Sequence, residues 1–180
     1  LIDINNISKL KKIPKLKFDN LPIFMGVLNI TPDSFSDGGK FNEKSSAKKQ
    51  INKLIVDGAK IIDVGGESTR PGSKEILQTK EWLRVNKVMS YLKSKKLFVS
   101  LDTRKSFVMK KALKYKLDLI NDVSGLSYDK ETINFLKKTK LPFVLHHMKG
   151  STETMQKNPR YNNVLLDIYD YFENKLRLIR

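Results

Sequence analysis

Polar residues recur where apolar runs of this chain end. Asn29 closes FMGVLN, Asp63 with Gly65-Gly66 closes KIIDVGG, and Asp102 closes LFVSLD. Asn121-Asp122 closes LDLIND, and His146-His147-Met148 closes PFVLHHM. These groups suit recognition more than nucleophilic attack. An Asp accepts two parallel N–H bonds from an aminopyrimidinone edge, and an Asn both donates and accepts, so Asp102 and Asn121 fit a guanine-like heterocycle. Ser68-Thr69-Arg70, beside its glycines, supplies the hydroxyls, amide groups and guanidinium of a phosphate cradle. Asn29 offers an oxygen for Mg²⁺ beside phosphate; Mg²⁺ takes few protein ligands and keeps several waters. With no Cys, no G-x-S-x-G elbow and no His-x-x-x-His pair, covalent acyl transfer and zinc hydrolysis are poorly supported.

Each residue also has a plainer role to weigh. Asn29 could cap backbone groups, Asp102 could cap the helix that follows it, and Arg70 could be a surface charge. The Glu-Ser-Thr before Arg70 and the Pro-Gly after it favour a loop facing an anion. Asp63 and Asp122 are assigned to structure, because neighbouring strand positions point to opposite faces and the site needs Asn121. His147 reads as a packed histidine. Five successive strands ending in Asn, Asp or His are hard to explain by packing, since buried polar groups need partners.

The elements that position these groups alternate. Near-continuous apolar runs bounded by turn residues predict buried parallel strands at 24–30, 60–66, 97–102, 117–122 and 142–148. Helical spacing predicts helices at 45–56, through Trp82 to Leu92, at 107–115, at 132–138 and through Leu165 to Ile179, with Gly58 placed to end the first. The stretch Thr31 to Gly39 reads as a polar loop, and residues 1–20 as a basic lead-in before a single domain over 21–180. Such alternation implies right-handed βαβ units and a parallel sheet. The first strand-to-helix turn lacks G-x-G-x-x-G, which weakens the dinucleotide-binding form of an open sheet. Five units in 180 residues is the pace of a (β/α)8 TIM barrel of about 250, so the chain is expected to hold the first five βα units of one. It does not begin with Met and ends inside a helical pattern, so it is expected to be part of a longer protein.

Composition narrows the classes. There is no cysteine, no signal-peptide pattern, and no apolar run near the ~20 residues of a membrane helix, which points to a cytoplasmic protein. Lys and Arg number 35 against 19 Asp and Glu, a formal net charge of +16. The lysines are scattered over the helices and form no block. That predicts a solvated surface suited to anionic small molecules and no nucleic-acid partner.

The segments MGVLNITPDSFSDGG, IIDVGGESTRPGS, SLDTRKS, INDVSG and HMKGSTETMQKNPRY resemble the dihydropteroate synthase family, in family order and spacing from residue 24 to the last helix. The resemblance implies a (β/α)8 barrel that is a folate-biosynthesis transferase. Its reaction joins 6-hydroxymethyl-7,8-dihydropterin diphosphate to 4-aminobenzoate, giving dihydropteroate and diphosphate. Asn29 matches the family's Mg²⁺ ligand, Thr69 a contact of the pterin diphosphate, and Asp102 and Asn121 pterin-ring binders. Arg70 and the Thr31 to Gly39 loop match loops closing over diphosphate and aminobenzoate. No protein nucleophile is implied, and a homodimer is implied for the full-length protein. His146 stands where the family usually has an apolar residue, and Ser106 where proline is common. The family's later strands bring a pterin-binding Asp, a Lys in a K-x-S context and a closing R-x-H; these 180 residues are expected to end before them and, by themselves, to be inactive. Three rivals remain: a pterin-binding methyltransferase, a non-catalytic homologue, and a basic binding module. The methyltransferase would have no use for TPDSFSDGG and ESTRPG.

Overall fold

The computed structural model describes residues 22–31, 39–70, 72–151, 154–156 and 158–179, with side chains of 39–44 excepted. The sequence-based readings of the 1–20 lead-in and of most of the Thr31 to Gly39 loop lie outside the described residues.

Five strands and five helices alternate: β1 (Met25–Asn29), α1 (Gly39–Val56), β2 (Ile61–Gly65), α2 (Gln78–Lys93), β3 (Phe98–Asp102), α3 (Ser106–Ala112), β4 (Leu119–Asp122), α4 (Glu131–Thr139), β5 (Phe143–Leu145) and α5 (Val164–Ile179). The strands form one sheet in sequence order, and every neighbouring pair is parallel. Consecutive parallel strands without an order reversal, each followed by a helix, are five units of a (β/α)8 barrel.

Strand alternation divides the two faces. Leu28, Ile62, Val64, Val99, Leu101 and Ile120 meet Val85, Val88, Met89, Leu92, Val108, Met109 and Leu136 from the helices, and this is the main core. The other face carries a smaller cluster of Ile61, Phe98 and Leu119, with Ile23 and Val144 against it. Beyond that cluster the same face turns polar toward the carboxyl ends of the strands.

Several boundaries depart from the sequence reading. α1 begins at Gly39, six residues before the expected start, so Gly39 belongs to the helix and not to the loop. α3 stops at Ala112, where the expected helix ran to Tyr115. β5 covers three residues and ends at Leu145, leaving His146, His147 and Met148 beyond the sheet. Apolar periodicity marks burial and not backbone hydrogen bonding, so it carries α3 and β5 past their ends and misses the polar first turns of α1.

Candidate functional site at the carboxyl ends of the strands

Register builds the site. Asn29 pairs with Gly65, Gly65 with Asp102, and Asp102 with Asn121. Paired residues of parallel strands point to one face, so four strands bring one row of residues to the mouth of the polar face. Gly65 leaves room at its centre. A Cβ there would sit 3.0 Å from Asn29 Oδ1 and 3.4 Å from Asp102 Oδ2, so both oxygens converge over this glycine.

One turn of the pleat deeper, Asp63 pairs with Ser100 on the same face. Asp63 Oδ2 accepts from Asn121 Nδ2 at 2.9 Å, and Asn121 Oδ1 lies 2.6 Å from His146 Nε2. Asp63 Oδ1 and Ser100 Oγ are buried with no hydrogen-bond partner among the described residues. Asp63, assigned to structure from the sequence, supports Asn121 and does so from the row's own face. Its position two residues before Gly65 returns it to the row's face, and period-2 counting from Gly65 would have shown this. Asp122 does face the helices, where its Oδ1 accepts from the Ser124 amide and hydroxyl at 2.8 and 2.6 Å. Asp102 does not cap α3: the Ser106 amide there donates to Asp129 Oδ2 at 2.8 Å.

The row is rich in acceptors. Burial, reinforced by Asp63, Glu81, Asp122 and Glu67, pushes the Asp102 carboxyl up to about 7. A carboxylate so placed gains most from a ligand that brings N–H groups to it.

Thr69 and Arg70 lie on the loop after β2, at the same end of the sheet, Thr69 half-buried and Arg70 exposed. A buried charge network that sequence reasoning missed holds this loop. Lys105 Nζ donates to Glu67 Oε1 at 2.8 Å, to Glu81 Oε2 at 2.9 Å and to the Ile76 carbonyl at 2.7 Å. Arg104 Nε donates to Glu67 Oε2 at 3.0 Å, and Thr103 Oγ1 donates to Glu81 Oε1. Burial works to raise the Glu67 carboxyl, but bonds from Lys105, the Ile76 amide and Arg104 outweigh it and hold the group below its usual value. Burial prevails at Glu81 and raises it. The three residues after Asp102 thus anchor both ends of the stretch that carries Thr69 and Arg70. The signal was present in DTRKS: two cations directly after a buried strand need buried partners.

His147 is packed as expected, its ring edge-on to Tyr171 at 4.8 Å and near those of Tyr161 and Phe172.

Fold and rim together define a barrel protein of the α/β class whose polar site lies at the strand carboxyl ends. The model of the pterin binding enzyme family matches residues 25–180, and the chain belongs to that family. It is 39% identical over 157 residues to the dihydropteroate synthase of Haemophilus influenzae, covering 87% of this chain and 57% of that one. Among solved structures, the Clostridium difficile dihydropteroate synthase in the presence of pteroic acid superposes with a TM-score of 0.81 at 35% identity, over 91% of this chain and 61% of that one. The Xanthomonas albilineans dihydropteroate synthase with 4-aminobenzoic acid gives 0.80 at 33% identity, over 91% and 57%. The chain spans a little over half the length of the curated relatives it matches.

Proposed function

We propose that the protein carrying this chain is a dihydropteroate synthase, joining 6-hydroxymethyl-7,8-dihydropterin diphosphate to 4-aminobenzoate. The observation that carries this reading is the row Asn29–Gly65–Asp102–Asn121 with Asp63 beneath it. A half-buried bank of acceptors, one of them a carboxyl raised to about 7, matches the donor-rich aminopyrimidinone edge of a pterin. Asp102 would accept from the ring's N–H groups, and Asn121 would both donate and accept. Thr69 and Arg70, on the loop anchored by Glu67, would take the diphosphate.

The reaction asks for no protein nucleophile. The bond from the pterin methylene to the diphosphate oxygen breaks, the amine nitrogen of 4-aminobenzoate forms the new bond, and its proton is released. The side chains of the row hold the ring and exclude water, which is catalysis by positioning and by stabilising the leaving group. Mg²⁺ fits the donor set at the mouth, where Asn29 presents an amide oxygen and the diphosphate and water would complete a hard, oxygen-only shell. Bound there, it would neutralise charge on the departing diphosphate. No set of three His, Cys, Asp or Glu able to hold a metal by themselves occurs among the described residues. That suits a metal held jointly with substrate.

The reading places the protein in the cytoplasm, as a homodimer at full length, with no nucleic-acid partner. Among the described residues no helix is long and apolar enough to cross a membrane. The test is a condensation assay on the intact protein with labelled 4-aminobenzoate and the pterin diphosphate. Dihydropteroate formation that stops when pterin diphosphate is withheld is expected. Methyl transfer from methyltetrahydrofolate with no condensation would overturn the reading.

A further inference from the structure

Asn121 can recognise a heterocycle in one orientation only if its amide is held from turning over, since oxygen and nitrogen exchange places in a 180° flip. Two contacts hold it. Nδ2 donates to Asp63 Oδ2 at 2.9 Å, and Oδ1 faces His146 Nε2 at 2.6 Å. The amide oxygen can only accept, so His146 Nε2 must carry a proton. A flipped amide would set Oδ1 against a carboxylate oxygen and Nδ2 against an N–H. His146 itself is fixed from behind. The Tyr171 hydroxyl of α5 donates to its backbone carbonyl at 3.0 Å.

We propose that His146 is a positioning residue for ring recognition: protonated on Nε2, it locks the Asn121 amide so that one remaining N–H and one remaining lone pair face the bound heterocycle. The inference rests on the pterin reading above and deepens it. The lock fails when the donor is removed. Leucine at 146 leaves Asn121 Oδ1 without its donor and lets both amide orientations coexist. Glutamine can place an N–H near where Nε2 lies.

The test combines a spectroscopic readout with a binding split on the intact protein. In ¹⁵N-histidine-labelled protein without ligand, His146→Leu assigns the imidazole signal, and the wild-type ring is expected as the Nε2–H form. An Nδ1–H form overturns the inference whatever the ligand data show. With pterin-6-carboxylate as probe, His146→Leu is expected to weaken binding about tenfold and His146→Gln to recover most of it, the scale of one lost hydrogen bond. In turnover, His146→Leu is expected to raise KM for the pterin diphosphate while KM for 4-aminobenzoate stays within about twofold. Equal affinity of His146→Leu and wild type, or equal losses in the Leu and Gln variants, overturns the inference. Wild-type protein that binds no pterin overturns the function proposed above, and an Nε2–H ring in that same protein would leave the two failures distinct.

Discussion

At the scale of single residues, Asp102 is in conflict with its surroundings. Burial and four other acids raise its carboxyl from an ordinary 3.8 to about 7. A raised carboxyl gives the fold a contribution present in full below pH 3.8 and lost as pH climbs through about 7. A pterin needs the opposite state, since only the ionised carboxylate accepts two N–H bonds. Pterin affinity of the intact protein is therefore expected to rise from pH 6 to pH 8, with net proton release on binding near neutrality. Calorimetry in buffers of different ionisation enthalpy measures this, and proton uptake would contradict it. Asp102→Asn separates the two roles. It is expected to abolish measurable pterin binding yet raise stability at pH 8 by up to about 2 kcal/mol, because no charge is then buried. Thermal melts at pH 5 and pH 8 check it: the gain should shrink at pH 5. Asn29, Asp102 and Asn121 were legible in the sequence because each closes an apolar run, where strand residues meet the mouth. His146 was visible there as a strand-end polar residue, but its bond to Asn121 was not, since a hydrogen bond across 25 positions leaves no trace in periodicity.

At the scale of elements, the loop after β2 is positioned from β3 and α2. Lys105 is buried between Glu67 and Glu81, with side-chain exposures of 4%, 4% and 0%. Replacing it by methionine leaves two carboxylates facing each other away from water, and breaking a buried pair this way costs about 3–5 kcal/mol. Lys105→Met in the intact protein is expected to lose that much stability in urea titrations, with part of the loss recovered by Lys105→Met combined with Glu81→Gln. Simple additivity of the two substitutions would show that the charges do not act as a unit. The segment between β4 and α4 depends on a glycine in the left-handed region. Gly125 has φ +59, and a Cβ there would lie 2.0 Å from the Tyr171 hydroxyl and 2.3 Å from the His146 carbonyl oxygen. Gly125→Ala must therefore push α5 or His146 away, and is expected to weaken pterin binding in parallel with His146→Leu. Strand order and helix spacing were readable from period-2 and period-3.6 patterns. The ends of α3 and β5 were not, because an apolar residue looks the same inside an element and just past it, and the start of α1 was not, because Gly39 to Lys44 carry no apolar periodicity.

At the scale of the molecule, charge and apolar surface pull in opposite directions. The net charge of +16 keeps copies of the chain apart. Against it stand exposed apolar side chains on two surfaces: Met25 and Val27, 44% and 52% exposed on the first strand, and Val164, Leu165, Leu166 and Leu178 on the last helix. Among the described residues β1 pairs only with β2 and β5 only with β4, and a strand edge left unpaired can take another strand. Repulsion between exposed charges is screened within about 10 Å at 0.1 M salt, whereas apolar attraction is not weakened by salt. These 180 residues, produced by themselves, are therefore expected to stay dispersed at low ionic strength and to associate as salt is raised, with hydrophobic-dye fluorescence rising alongside. Sedimentation velocity across a salt series measures it. Association that instead dissolves with added salt would show that ionic contacts, and not the apolar faces of β1 and α5, bring the copies together.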